Sequence, residues 1–258
     1  MDTCSSLSSL KPLEQLYLLL AEMDRRTKTR RLFTYYPDEG PLRRELYPRH
    51  MEFFAAGTTH RQRVFMAANR VGKTEGAGGY EMALHLTGQY PDWWTGHRFD
   101  KPIQAWAAGD TSQTVRDILQ VKLLGPVGQN GTGLIPGDDI VDIKSKAGGI
   151  KDAVETVYVR HASGGLSVLG FKTYDQGRES FQGTERGLVW LDEEPPLDVY
   201  MECLLRTMAT ASFGGGLVML TFTPLMGLSE TVMHIMDGEV RAECGEVRPG
   251  GAYLVSAT

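Results

Sequence analysis

Residues 63–74 read RVFMAANRVGKT, an apolar run that breaks into a polar segment and ends in Gly72-Lys73-Thr74. The next stretch, to about residue 87, reads as a helix. A strand that passes through a tight loop into a helix N-terminus is a framework for holding an oxyanion. Its backbone N–H groups turn inward and the helix dipole favours negative charge. The usual phosphate-loop (Walker A) pattern is G-x-x-x-x-G-K-[ST]. Here Ala67 stands in place of the first glycine and Arg70 lies inside the loop. Losing that glycine removes one position free to take positive φ, so the loop must start in a conformation that alanine tolerates. On this reading Ala68, Asn69, Arg70, Val71, Gly72, Lys73, Thr74 and Glu75 form an ATP-binding loop. Lys73 reaches the β- and γ-phosphates, and the Thr74 hydroxyl ligates Mg²⁺. The competing reading is an ordinary lysine at a helix start.

A second feature lies 118 residues beyond Thr74. In GLVWLDEEPP (187–196) an apolar strand ends in Asp192 and Glu193 and is stopped by Pro195 and Pro196. Acids at the carboxyl end of a buried strand sit where parallel α/β sheets place their ligands. Asp192 is expected to hold the metal shell and Glu193 to polarise an attacking water as general base. The spacing leaves room for at least one further strand between the two features. A third piece, LTFTPLMG (220–227), puts Thr221 and Thr223 at another strand end, where their hydroxyls can report on the γ-phosphate. An acidic turn and a threonine-rich strand end are the plainer readings of these two pieces.

Around these motifs, strands and helices alternate. Helices are expected at 9–24 (Ser9 capping; Leu13, Leu16, Tyr17 and Leu20 on one face), 42–56, 73–87, 111–124 (Thr111 capping) and 197–210. IQAWAAG, ETVYVRH, LSVLGFKTY, GLVWLD and GLVMLTFTP read as strands, and 125–151, rich in Gly, Pro and Asp, as a long surface excursion. The pattern predicts an α/β fold with a mostly parallel sheet and helices on both faces.

The 258 residues suffice for one large domain, with 41% hydrophobic and 23% charged residues. The longest apolar runs are too short to span a bilayer, and no signal-peptide segment opens the chain. Cys4, Cys203 and Cys244 are odd in number and far apart, which favours a reducing compartment over disulfides or zinc. A net charge of −5 lacks the basic footprint of a dedicated nucleic-acid binder. The one local exception is DRRTKTRR (24–31), either a solvated helix end or a phosphate-contacting patch.

Taken in order, the deviant loop AANRVGKT, the VWLDEEP strand end and LTFTPLMG resemble the N-terminal packaging-ATPase domain of tailed-bacteriophage terminase large subunits. The likeness runs from about residue 42 to the end. It implies a P-loop NTPase of the additional-strand, catalytic-glutamate (ASCE) type over 42–258, preceded by a helical extension over 1–41. It also implies that YPRHMEFFAAG lies on the adenine side, with Tyr47, Pro48 and His50 as candidates. ATP and Mg²⁺ are the implied cofactors. The implied partners are double-stranded DNA, a portal protein, a small terminase subunit and further copies in a ring of five. The implied place is the host cytoplasm, with no membrane. The family continues into an RNase H-like nuclease domain that nothing here resembles, so the chain is expected to be an isolated ATPase domain, mostly monomeric alone.

Such loops often carry an arginine, and Arg70 can neutralise charge as the γ-phosphoryl leaves. Some relatives carry it one position earlier, where this chain has Asn69. Relatives also carry Arg-Gly ten residues before the strand aspartate, where this chain has Gln182-Gly183; Arg178 and Arg186 flank that spot, with Arg178 preferred as a trans-acting group. Two other functions fit the loop and acids: a helicase-like ATPase and a nucleotide-dependent assembly protein without turnover.

Overall fold

The structure is a computed structural model that describes residues 11–208, 215–225, 227–237 and 252–257. Ser9, Cys4 and Cys244 lie outside these residues, as do the side chains of 24–28, so most of the basic run is not described.

Eight strands form one sheet: β1 (Gln62–Ala67), β2 (Gln104–Gly109), β3 (Ile140–Ser145), β4 (Val154–Arg160), β5 (Leu166–Thr173), β6 (Leu188–Asp192), β7 (Leu217–Phe222) and β8 (Tyr253–Ala257). Their spatial order is β3-β4-β5-β2-β6-β7-β1-β8. From β5 to β8 every pairing is parallel, while β3-β4 and β4-β5 are antiparallel. The expected surface excursion after residue 125 thus contains a strand, β3. Its burial is weak because it lies at the sheet edge, which is why no apolar run betrayed it.

The helices are α1 (Pro12–Thr29), α2 (Pro48–Ala56), α3 over 73–87, α4 over 112–124, α5 (Leu197–Met208) and α6 (Glu230–Asp237). The expected helix at 42–56 is shorter. Its entry is the Pro48 ring, which fixes φ and lacks the N–H that a first helical position leaves unused. Thr111 caps α4 as expected, its hydroxyl accepting from the Thr114 N–H at 3.2 Å. The first half of α3, Lys73–Gly79, is π-wound before Tyr80–Thr87 settles into α-helix.

The sheet is packed on both sides. Phe53, Phe54, Tyr80, Leu84, Leu123 and Trp190 belong to the core beneath α2, α3 and α4. Val64, Val189, Leu191, Tyr200, Cys203 and Ile235 belong to the opposite core, beneath α5 and α6. Strands covered on both faces read as unbroken apolar runs, as β6 and β7 do. The expected apolar face of α1 is exposed at Leu13, Leu16, Tyr17 and Leu20. Past α1, however, Leu32 and Tyr36 are buried within the main core, so the first 41 residues do not stand wholly apart from it.

Candidate nucleotide site

The loop strand β1 and the acidic strand β6 are not neighbours. Between them lies β7, paired in parallel to both, with Asp192 opposite Thr221 and Phe65 opposite Thr221 on the other side. The 118-residue gap does hold further strands, β2 to β5, but none of them is the one that lies between β1 and β6 in the sheet. That place is taken by the threonine strand that follows the acids in the chain. Three strand ends consequently meet at one place: Ala67, Asp192 and Thr221 to Thr223.

A close approach brings α3 to this edge. A Cβ at Gly78 would stand 2.3 Å from the Trp190 ring, so glycine is what lets the helix lie against β6. The Thr74 hydroxyl then donates toward both Asp192 oxygens, at 3.0 and 3.2 Å. Behind it, the Trp190 indole N–H donates to Thr221 Oγ1 at 2.7 Å, and that hydroxyl donates to Asp192 Oδ1 at 2.6 Å. The Tyr174 hydroxyl donates to the Asp192 carbonyl at 2.9 Å. Trp190 and Tyr174 were missed from sequence, where each looks like an ordinary apolar strand residue. The only hint was that buried Trp and Tyr need a partner for their polar tips.

Asp192 is 3% exposed and receives hydroxyl donors only; among the described residues it makes no ion pair. Burial pushes its pKa up to about 7, aided by Glu193 and opposed by Thr221, Thr74 and Lys73. Burial also raises Glu193 above the usual carboxylate range, with Lys73 acting in the opposite sense. Glu193 has φ of +62°, so the chain turns sharply where the strand ends and moves this side chain off the strand's alternation. Lys73 Nζ donates to the carbonyls of Ala67 and Ala68 at 3.0 and 2.8 Å and to Thr223 Oγ1 at 2.7 Å. Thr223 is also 2.9 Å from Asn69 Oδ1. The lysine, the acids and both threonines are thus brought together.

The other candidates differ. Arg70 is exposed, takes φ of +68° and makes no hydrogen bond or ion pair among the described residues. The Glu75 carboxylate is engaged by Arg31, Tyr35 and Lys122, which ties the segment after α1 to the loop helix. His50 is buried, both ring nitrogens within hydrogen-bond distance of Tyr36 and Val71, with Tyr47 tilted over its ring. Pro48, by contrast, is exposed. Arg178 is not free: its Nε donates to buried Glu202 at 2.8 Å. Arg186 packs 4.2 Å over the Trp106 ring and donates to Gln104. An arginine meant for a neighbouring subunit would have to leave these partners first.

The arrangement suits Mg²⁺, which prefers oxygen donors and is commonly held by one or two carboxylates with substrate phosphates. Asp192 and Thr74 supply two adjoining oxygen donors, 3.0 Å apart.

A phosphate loop preceding a helix, with one strand between it and an acid-tipped strand, defines a P-loop fold of the additional-strand class. The chain belongs to the terminase large subunit family, T4likevirus-type, N-terminal, whose model matches residues 64–242. It is 35% identical over 265 residues to the large terminase subunit of Salmonella phage P22, covering 94% of this chain and 50% of that protein. The chain therefore spans about half the length of that relative. Its fold is similar to a variant of the large terminase ATPase domain of Thermus phage P74-26, with a TM-score of 0.50, 17% identity, and 77% of this chain and 76% of that chain covered. The large terminase of a thermophilic bacteriophage, solved with ADP, aligns at a TM-score of 0.48 and 12% identity over 90% of this chain and 45% of that one. No helix among the described residues is long and apolar enough to cross a membrane.

Proposed function

We propose that this chain is the ATP-hydrolysing motor domain of a viral DNA-packaging terminase, working on double-stranded DNA at the portal of a procapsid. In this role it would meet a small terminase subunit and form a ring with its own copies in the host cytoplasm. The observation that carries the reading is the meeting of Thr74 and Asp192 at 3.0 Å beside Lys73 and Glu193, at the carboxyl ends of three parallel strands.

Lys73 would exchange its carbonyl partners for the β- and γ-phosphates. Thr74 and Asp192 would hold Mg²⁺, which when bound neutralises phosphate charge and lowers the cost of the transferring phosphoryl group. Glu193, whose affinity for a proton is raised by burial, would accept the proton of the attacking water. Arg70, exposed and without a partner among the described residues, would approach the γ-phosphate. Thr223 touches both Lys73 and Asn69, so a change in the loop would reach β7 directly.

Phosphate release measured with and without double-stranded DNA tests the reading. DNA-stimulated release that vanishes in Lys73→Ala is expected. Strand separation of a duplex driven by ATP would favour a helicase, and tight nucleotide binding without phosphate release a non-hydrolysing switch.

A further inference from the structure

The loop is poor in glycine, yet Arg70 and Gly72 both sit in the left-handed region, at φ of +68° and +83°. Its support comes from outside. His50 Nε2 lies 3.0 Å from the Val71 carbonyl, and His50 Nδ1 lies 2.6 Å from the Tyr36 hydroxyl. That hydroxyl in turn lies 2.8 Å from the Gly76 carbonyl. The four groups form one line from the loop to the first turns of α3. Both side chains are buried, His50 at 3% and Tyr36 at 2% exposure. The His50 ring is held by the Phe65 edge and by Tyr47. The fit is close at both ends: a Cβ at Gly72 would stand 3.1 Å from His50 Cε1, and one at Gly76 2.8 Å from the Tyr36 oxygen.

The line has more contacts than protons. Burial pushes His50 down to about 4 and Tyr36 above its ordinary range, so the pair holds one imidazole proton and one phenol proton. Carbonyls only accept. Three contacts therefore share two protons; donating to both carbonyls would set a bare Nδ1 against the Tyr36 oxygen at 2.6 Å, so two arrangements remain. In the first, Nε2–H donates to Val71 and Tyr36 donates to Nδ1, leaving Gly76. In the second, Nδ1–H donates to Tyr36 and Tyr36 donates to Gly76, setting a bare Nε2 against the Val71 carbonyl.

A loop that turns its N–H groups inward to phosphates must turn carbonyls outward, and an outward Val71 carbonyl needs a donor in this buried place. We propose that His50 and Tyr36 are positioning residues for the phosphate loop, and that the arrangement with His50 Nε2–H on Val71 is the one that binds nucleotide. Tyr36, by choosing between Nδ1 and Gly76, sets how firmly the loop is held. The inference rests on the nucleotide-site reading above.

The test is binding of a fluorescent ATP analogue and steady-state hydrolysis by the full chain, with imidazole ¹⁵N shifts of His50. His50→Phe keeps a ring but no donor. It should weaken nucleotide binding roughly tenfold, as expected for one unsatisfied buried carbonyl, and raise KM while kcat stays within about twofold. His50→Gln, whose amide can reach Val71, should recover part of the loss. In the nucleotide complex Nε2 should be protonated and Nδ1 bare. A folded His50→Phe with unchanged affinity overturns the proposal, as does an Nδ1–H tautomer in the complex. Should His50→Phe not fold, His50→Gln and the ¹⁵N shifts of the unsubstituted chain decide by themselves. If the unsubstituted chain binds no nucleotide, the reading of the site falls with it; if binding is lost in Lys73→Ala yet normal in His50→Phe, only this inference falls.

Discussion

Two buried carboxylates sit on the same side of the sheet and behave oppositely. Glu81, on α3, is fully enclosed and takes Arg63 in a two-pronged contact at 2.7 and 3.0 Å, with His85 Nε2 at 3.0 Å. Burial alone would raise its pKa, but Arg63 and His85 outweigh it and hold Glu81 below the usual range. Asp192 is nearly as enclosed, but its donors are hydroxyls, and burial wins. A buried charge is tolerated when it is paired. The first carboxylate has its cation built in and serves to lock α3 to β1. The second has no ion-pair partner among the described residues, and on the proposed reading a divalent cation would take that place. The contrast separates a structural acid from a site acid.

The strongest way to break this comparison is to exchange the outcomes. Arg63→Met strands Glu81 in the core and should cost about 3–5 kcal/mol of folding stability, read as a fall in denaturant midpoint. Asp192→Asn removes a carboxylate with no cation to strand, so stability should hold or rise while Mg²⁺-dependent nucleotide binding is lost. If Asp192→Asn unfolds the chain while Arg63→Met is tolerated, the assignment of the two acids is reversed.

Next in size is Glu193→Gln, which should slow hydrolysis by ~10²-fold or more and leave nucleotide binding intact, the scale of a lost general base. A variant that instead fails to bind nucleotide would make Glu193 part of the metal shell.

How much of this was legible beforehand follows from range. Lys73, Thr74, Asp192 and Glu193 could be named because loop and strand-end chemistry is local: a few adjacent residues carry each signal. The parallel core was legible because β6 and β7 are unbroken apolar runs. The position of β7 between β1 and β6 was not, because strand order depends on crossovers that leave no trace in spacing. Nor was the pairing of Arg178 with Glu202, 24 residues apart on different elements, or the engagement of Glu75 by Arg31 and Lys122. The exposed leucines of α1 show the reverse: helical periodicity read correctly as a helix, with no partner for its face among the described residues.

A pH titration sharpens the comparison through opposite signs. Asp192 has a folded pKa of about 7, above its unfolded value of 3.8. Its contribution is fully present below about pH 4 and is lost as pH rises through 7. Glu81 is depressed, so its contribution is present above its unfolded value and is lost on acidification. Without Mg²⁺, the unsubstituted chain should therefore lose about 4 kcal/mol relative to Asp192→Asn between pH 4 and pH 8. Parallel stability curves for the two proteins would mean that folding leaves the Asp192 pKa at its ordinary value.

The smallest effect on stability is expected at Glu202, which lies between these extremes. This carboxylate is buried, but it has two cations: Arg178 at 2.8 Å and Arg206 at 2.9 Å. The Arg178 side chain is 50% exposed. Removing it leaves Glu202 still paired to Arg206, so Arg178→Ala should cost less than about 1 kcal/mol. That leniency makes its catalytic role testable without a folding artefact. A trans-acting Arg178 would have to release Glu202 and reach a neighbour's phosphates, whereas Arg70 already lies in its own loop. Each alanine variant, assayed over a wide range of protein concentration and then mixed with Glu193→Gln protein, separates the two cases. Arg178→Ala subunits keep their own Glu193 and receive an intact arginine from their neighbours, so a trans role predicts partial return of activity in the mixture. Arg70→Ala subunits carry the defect in their own site and should not recover. Hydrolysis by Arg178→Ala that is unchanged at every concentration would leave the Glu202 pair as its whole function, a structural lock of the Glu81 kind placed at the surface.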